Sequence, residues 1–235
     1  ERMKIWILSS ESPDYWAGGI ATYVDNFAGL LAAAGHEILV VSRGGENRRR
    51  RMPAGYELVE FLHRYKAFRE TAHSGEPDEH PGWPFNNMAY FPALSHQLAE
   101  VVEELVATEG PPDVIECQEY AALGYFLMQR KLVEPGYLEG IPVLVHLHTP
   151  EFAAQPHNQH PRWKLPDYWL GRMEQACLWM ADALLSPSRF LAAEMQKAVD
   201  GELPGIRVIP YPWRDPDPGR GIDPGEDLHL VCWEY

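Results

Sequence analysis

Cysteine is nearly absent. Cys117, Cys177 and Cys232 stand far apart in a chain of 235 residues. So few, so scattered, they exclude a disulfide framework and a zinc ribbon and fit a reducing compartment. Long apolar runs are missing too. None approaches the roughly 20 residues that a membrane-spanning helix needs, and no signal peptide precedes the first apolar stretch. The expectation is a cytoplasmic protein. A basic surplus is lacking as well: 20 Lys and Arg against 34 Asp and Glu leave a net charge of −14, which argues against a nucleic-acid partner. There is no internal repeat and no G-x-G-x-x-G fingerprint of a dinucleotide site.

What is present is a 46% hydrophobic fraction, enough for a sizeable core, arranged in alternating strand and helix patterns. Lys4 to Leu8 is a short apolar run of the kind a buried strand needs. A polar loop, Ser9 to Gly19, leads into a helical pattern in which Ile20, Tyr23, Val24, Phe27, Leu30, Leu31 and Ala34 share one face. Gly35 supplies a left-handed C-cap, and Ile38 to Val41 is the next strand. Further strands are expected at Tyr56–Leu62, Asp113–Cys117, Ile141–His148, Ala183–Leu185 and Ile206–Pro210. Helices are expected at Ala93–Ala107, Ala121–Leu132, Tyr168–Met180 and after Ser188, a good N-cap. Ala153 to Pro166 reads as irregular. The alternation implies a Rossmann-like, doubly wound parallel sheet of about seven strands.

Two stretches stand outside that pattern. Arg48-Arg49-Arg50-Arg51 reads as a solvated loop, or as a contact for an anionic partner or the inner face of a membrane. Glu70 to Pro84 reads as an insertion without periodicity. Trp83, Phe85, Tyr90 and Phe91 in or beside it suit either a sugar platform or a pin to the core.

In a doubly wound sheet, ligands bind beyond the C-terminal ends of the strands. The Ser9–Gly19 loop, Gln118 and Glu119, His146 to Glu151, and Ser186 to Arg189 fall at those ends. Ser10, Tyr15, Trp16, Tyr120, Thr149, Ser188 and Arg189 are their candidate substrate-binding side chains. Gly18 and Gly19, opening a helix, present backbone N–H groups to an anion; glycines that merely relieve crowding are the other reading. His146-x-His148 puts both imidazoles on one face of a strand. With His157 and His160 they raise the alternative of a metal-dependent hydrolase, although no carboxylate-rich or cysteine-rich motif completes a metal site. A non-catalytic Rossmann-like ligand-binding module is a further alternative. A nicotinamide oxidoreductase is disfavoured, because the second strand ends Ser42-Arg43 without an acidic residue.

Several pieces, in order and spacing, resemble the N-terminal half of glycosyltransferase family 4, of GT-B fold. They are Met3 to Leu8; Gly18-Gly19-Ile20 opening a helix that ends Gly35-His36-Glu37; Asp113 to Tyr120; Ile141-Pro142-Val143 leading to His148-Thr149-Pro150; Ala181 to Ser188; and Val208 to Pro212. The resemblance covers nearly the whole chain. It implies an acceptor-side Rossmann-like domain over residues 1–212, an interdomain linker over 213–227, and over 228–235 the first strand of a truncated donor-binding domain. It also implies a retaining transfer of sugar from a nucleotide-sugar to an acceptor hydroxyl, be the acceptor a sugar, a lipid or a small molecule. The nucleotide-sugar is a co-substrate held with the second domain; this chain alone binds no cofactor and no metal and is expected to be inactive. Gly18 and Gly19 would approach the donor diphosphate. Family members often carry a histidine where this chain has Gln118, so the resemblance spreads its role over Gln118, Glu119 and His148.

Overall fold

The computed structural model describes residues 2–15, 18–64, 88–161, 165 and 167–212. Its eight strands are β1 (Lys4–Ser9), β2 (Glu37–Gly44), β3 (Arg48–Arg51), β4 (Glu57–Leu62), β5 (Val114–Gln118), β6 (Val143–His146), β7 (Ala183–Ser186) and β8 (Ile206–Val208). Among the described residues six helices accompany them: α1 (Gly19–Ala33), α2 (Tyr90–Glu109), α3 (Tyr125–Val133), α4 (Glu151–His157), α5 (Asp167–Met180) and α6 (Arg189–Ala198). The strands form one sheet in the order β3-β4-β2-β1-β5-β6-β7-β8. All neighbours are parallel except β3 against β4.

Alternation along each central strand fills both faces. Ile5 and Ile7 of β1, with Ile38 and Val40 of β2, pack under Tyr23, Val24 and Ala28 of α1. Trp6 and Leu8, with Leu39, Val41, Ile115 and Cys117, pack against Leu94, Leu98 and Val102 of α2 and Leu127 of α3. A sheet buried on both faces has no solvent-facing side, which is why its strands read as continuous apolar runs.

β3 was not expected, and it makes the strand count eight rather than seven. Four consecutive arginines form an edge strand because β4 presents carboxylates across from them. Arg48 pairs in register with Glu60 and Arg51 with Glu57. Arg48 and Arg50 both reach Glu60, Arg49 reaches Glu57 and Glu109, and Arg50 reaches Asp14. Opposite charges across an antiparallel pair stabilise it, and a charged edge resists pairing with other chains. With so many internal partners, the run is first of all a structural strand rather than a loop.

Other differences have local causes. α4 occupies part of the stretch expected to be irregular; its short length and Pro156 hide its period. The helix expected from Ala121 begins only at Tyr125. Before it, Tyr120–Ala122 make a 3₁₀ turn in which Ala121 and Ala122 have φ of 62° and 52°, a conformation costing roughly 1–2 kcal/mol per non-glycine residue. On α1, Leu30 is exposed rather than part of the buried face. The expected left-handed cap holds, Gly35 having φ of 93°. The 70–84 insertion, Trp16, the linker 213–227 and the strand expected at 228–235 lie outside the described residues.

Candidate functional site

Apart from the antiparallel edge strand β3, the sheet reverses its direction of growth between β1 and β5: β2 and β4 follow on one side, β6, β7 and β8 on the other. Chains leave such a switch point on opposite faces and open a crevice beyond the strand ends. Register sets Leu8 beside Cys117 and Gln118 beside His146. The chain just past β1 and the end of β5 therefore meet at the crevice floor, where Gln118 Nε2 donates to Ser10 Oγ and both side chains are buried.

The start of α1 flanks this point. Gly18 is its N-cap, with extended backbone and no side chain to bond the orphan N–H groups. Glu11 supplies that bond from seven residues upstream: its Oε2 accepts from Gly18 N at 3.0 Å and from Ala21 N at 2.9 Å. A Cβ at Gly18 would lie 2.8 Å from Glu11 Oε2, whereas a Cβ at Gly19 would meet nothing within 4 Å. Crowding therefore explains Gly18 and leaves Gly19 without a structural reason. Tyr15 ends a tight turn closed by two backbone bonds with Ser12, and the Arg43 guanidinium stacks over its ring at 5.5 Å. Tyr120 is half-buried, its ring edge-on to Phe91.

On the far side of the floor the β6 exit is tied down by two buried carboxyls. Glu119 is wholly enclosed and takes the His148 N–H on both oxygens, at 2.7 and 2.9 Å. Glu174 of α5, also wholly enclosed, accepts from Ala121 N at 3.0 Å, Glu151 N at 2.9 Å and Phe152 N at 3.1 Å. It thereby joins the turn after β5 to the first turn of α4. His148 sits among the rings of Tyr23 and Tyr211. Below it, Tyr23 Oη donates to Glu116 Oε1 at 2.9 Å and touches His146 Nδ1 at 2.6 Å. Thr149 is exposed, its hydroxyl on the His148 carbonyl. Ser188 caps α6 by accepting from Leu191 N at 3.1 Å, and Arg189 is exposed at that helix start.

Ser10, Gln118, Glu119 and His148 thus form one connected group, with Gly18 and Gly19 at its edge. Ser188 and Arg189 lie two strands further along the same rim. Glu11, Glu174 and Tyr211 were not anticipated. Glu174 left a sequence signal, a carboxylate on the apolar stripe of Leu170, Met173 and Cys177. Glu11 and Tyr211 left none, because their contacts depend on how loops return.

Burial pushes the Glu119 and Glu174 carboxyls up to about 8. Burial pushes His63 down to about 4, aided by Arg43, and His148 down to about 3, aided by His146. An acid whose folded value is raised stabilises fully below its unfolded value and loses that contribution as pH climbs through the folded one. A histidine whose value is depressed stabilises above its unfolded value and loses that as pH falls. Between the unfolded values, 4.5 for the acids and 6.5 for the histidines, the two slopes oppose each other. Above that window only the acids act. The thermal midpoint is therefore expected to hold level from about pH 4.5 to 6.5 and to fall toward pH 8. Calorimetry of the Glu119→Gln, Glu174→Gln double variant checks this: its alkaline decline should be flatter, and an unchanged decline would refute the assignment.

Among the described residues no three His, Cys, Asp or Glu side chains group closely enough to hold a metal ion. The rings of His146 and His148 are 5.6 Å apart, and each Nδ1 faces a tyrosine hydroxyl. His157 and His160 lie exposed at and beyond the end of α4. The metal-hydrolase alternative thus finds no ligand set here. Among the same residues no helix is long and apolar enough to cross a membrane.

An open, mainly parallel sheet with helices on both faces and polar groups gathered at its switch point defines a Rossmann-like domain. Comparison narrows the class. The sequence profile of Glycosyltransferase Family 4 matches residues 17–212, and the chain belongs to that family. Its fold is similar to three solved GT-B glycosyltransferase structures. One is LpCGTa in complex with UDP (11% identity, TM-score 0.55, 92% of this chain and 54% of that one). Another is CalG4, the calicheamicin glycosyltransferase (13%, 0.50, 93% and 56%). The third is UDP-glucose: anthocyanidin 3-O-glucosyltransferase in complex with UDP (9%, 0.50, 90% and 54%). The chain spans about half the length of each. No curated protein matches it in sequence.

Proposed function

We propose that this chain is the acceptor-side half of a retaining glycosyltransferase, which moves a sugar from a nucleotide-sugar to an acceptor hydroxyl in partnership with a donor-binding lobe. The observation that carries the reading is the crevice at the β1–β5 switch point, where Ser10, Gln118, His148 and the glycine-opened α1 converge. Gln118 offers an amide to a sugar hydroxyl, and the open space at Gly19 admits a diphosphate. Tyr15, Tyr120, Thr149 and Arg189 lie around the rim as further substrate contacts. Trp16 belongs with them by its place in the sequence.

For a retaining enzyme, three buried carboxyls of this half favour a front-face route over a double displacement. A double displacement needs an exposed carboxylate as nucleophile. Glu116, Glu119 and Glu174 are all buried and bonded to protein groups. In a front-face transfer the bond from the anomeric carbon to the diphosphate oxygen breaks. The acceptor oxygen takes its place on the same face, and the acceptor's proton leaves with the diphosphate. Backbone N–H groups and basic residues near the leaving diphosphate stabilise its developing charge.

The test uses the full-length gene product with a panel of nucleotide-sugars and polyol acceptors. Release of nucleoside diphosphate is expected, with a product whose anomeric configuration, read by NMR, equals that of the donor. The 235-residue chain alone should release none. Inverted product would overturn the retaining mechanism, and turnover by the isolated chain would overturn the need for a second lobe.

A further inference from the structure

Two matched tyrosine–histidine contacts lie in and under the crevice, and counting their protons fixes their chemistry. A phenol has one proton to donate. Tyr211 Oη gives it to the Leu147 carbonyl, 2.8 Å away, because a carbonyl only accepts. His148 Nδ1 lies 2.7 Å from the same Oη. That second contact is a hydrogen bond when Nδ1 carries the imidazole proton and donates it. A neutral ring protonated on Nδ1 has a bare lone pair on Nε2. The side chain is partly exposed, and Nε2 is not among the buried polar atoms left without a partner. We propose that Tyr211 is a positioning residue that locks His148 in its Nδ1–H tautomer, so that Nε2 meets the crevice as a hydrogen-bond acceptor for a substrate hydroxyl.

The pair beneath is built the same way. Tyr23 Oη donates to Glu116 and lies 2.6 Å from His146 Nδ1, so the same count puts the His146 proton on Nδ1. His146 Nε2 is enclosed without a partner, so this lower pair is sealed off from ligands and serves as an internal control. Burial and the neighbouring His146 hold His148 neutral down to about pH 3, so its lone pair persists at working pH. A neutral ring with a lone pair outward takes an O–H and repels a bare anion. The group it selects is a sugar or alcohol hydroxyl rather than a phosphate oxygen. The identity of that substrate rests on the glycosyltransferase reading; the tautomer does not.

The experiment is long-range nitrogen–proton correlation NMR on the chain labelled with ¹⁵N-histidine, with His148→Asn assigning the signal. His148 in the wild type is expected to show its proton on Nδ1 at neutral pH. Tyr211→Phe keeps the ring and deletes the hydroxyl. It should shift His148 toward the Nε2–H form that free imidazole prefers, while His146 stays unchanged. A wild-type proton on Nε2, or a tautomer indifferent to Tyr211→Phe in a folded variant, would overturn the proposal. Should that variant not fold, the wild-type spectrum alone decides. Failure of the glycosyltransferase reading would appear instead as absent nucleoside diphosphate release, with the NMR result untouched.

Discussion

Glu174→Leu is expected to lower the unfolding free energy by roughly 3–5 kcal/mol. The leucine fills the volume but takes the acceptor from three backbone donors, that of Ala121, which is buried, and those of Glu151 and Phe152, which are half-buried. Each buried donor left unsatisfied costs about 1–3 kcal/mol, and relief from enclosing an acid returns part of the sum. Glu174→Gln is the control. Its carbonyl can serve Ala121 and Glu151, while its amide confronts the Phe152 N–H, so a loss of about 1–2 kcal/mol is expected. Denaturant midpoints at unchanged slope read both. The effect reaches the site because Ala121 and Ala122 hold φ values that alanine avoids. Glu174 accepts the N–H of the first of them, and Gln118 and Glu119 immediately precede that turn. Loss of the carboxyl should release the strained turn and disperse the rim residues. A leucine variant as stable as the wild type would show that the three donors find other partners and that Glu174 organises nothing.

How much of this was legible in the sequence follows from which interactions are local. β1 and β2 announced themselves because burial on both faces demands unbroken apolar residues; β5, with Glu116 and Gln118 among its five residues, was legible from Val114, Ile115 and Cys117. The caps at Gly35 and Ser188 were legible because each is a contact within a few residues of its helix end. The arginine strand was not, since its partners Glu57 and Glu60 become neighbours only when the hairpin closes. The 3₁₀ turn was hidden because nothing in Tyr120-Ala121-Ala122 advertises left-handed backbone; a carboxyl from more than 50 residues downstream helps to hold it. At the candidate site, topology alone puts Gln118 at the end of β5 and His148 just past the end of β6. Their settings were not readable. The resemblance gave Glu119 a share of the role spread over Gln118, Glu119 and His148, yet it is a fully enclosed acceptor of the His148 N–H, better placed to position that loop than to touch a substrate. The glycine pair was read as one unit, and the structure divides it into a crowded residue and an open one.

That division gives the second large effect. Gly18→Ala should push the Glu11 carboxylate away from Gly18 N and Ala21 N, because the new methyl carbon would sit 2.8 Å from its Oε2. The displaced group is the mobile end of a side chain, so the fold survives, but two charge-assisted bonds are lost and stability should drop by about 1.5–3 kcal/mol. Gly19→Ala meets no neighbour and enters a helical position, where alanine is favoured over glycine by up to about 1 kcal/mol; its thermal midpoint should stay level or rise. Donor binding should respond differently. If the space at Gly19 is where a diphosphate approaches, the added methyl excludes it, and KM for the nucleotide-sugar in the full-length enzyme should rise at least tenfold, about 1.4 kcal/mol. A stable Gly19→Ala protein with weakened donor binding therefore separates ligand approach from packing. The same variant with unaltered KM would leave the glycine pair a purely architectural feature, and the donor would have to reach the crevice from another side.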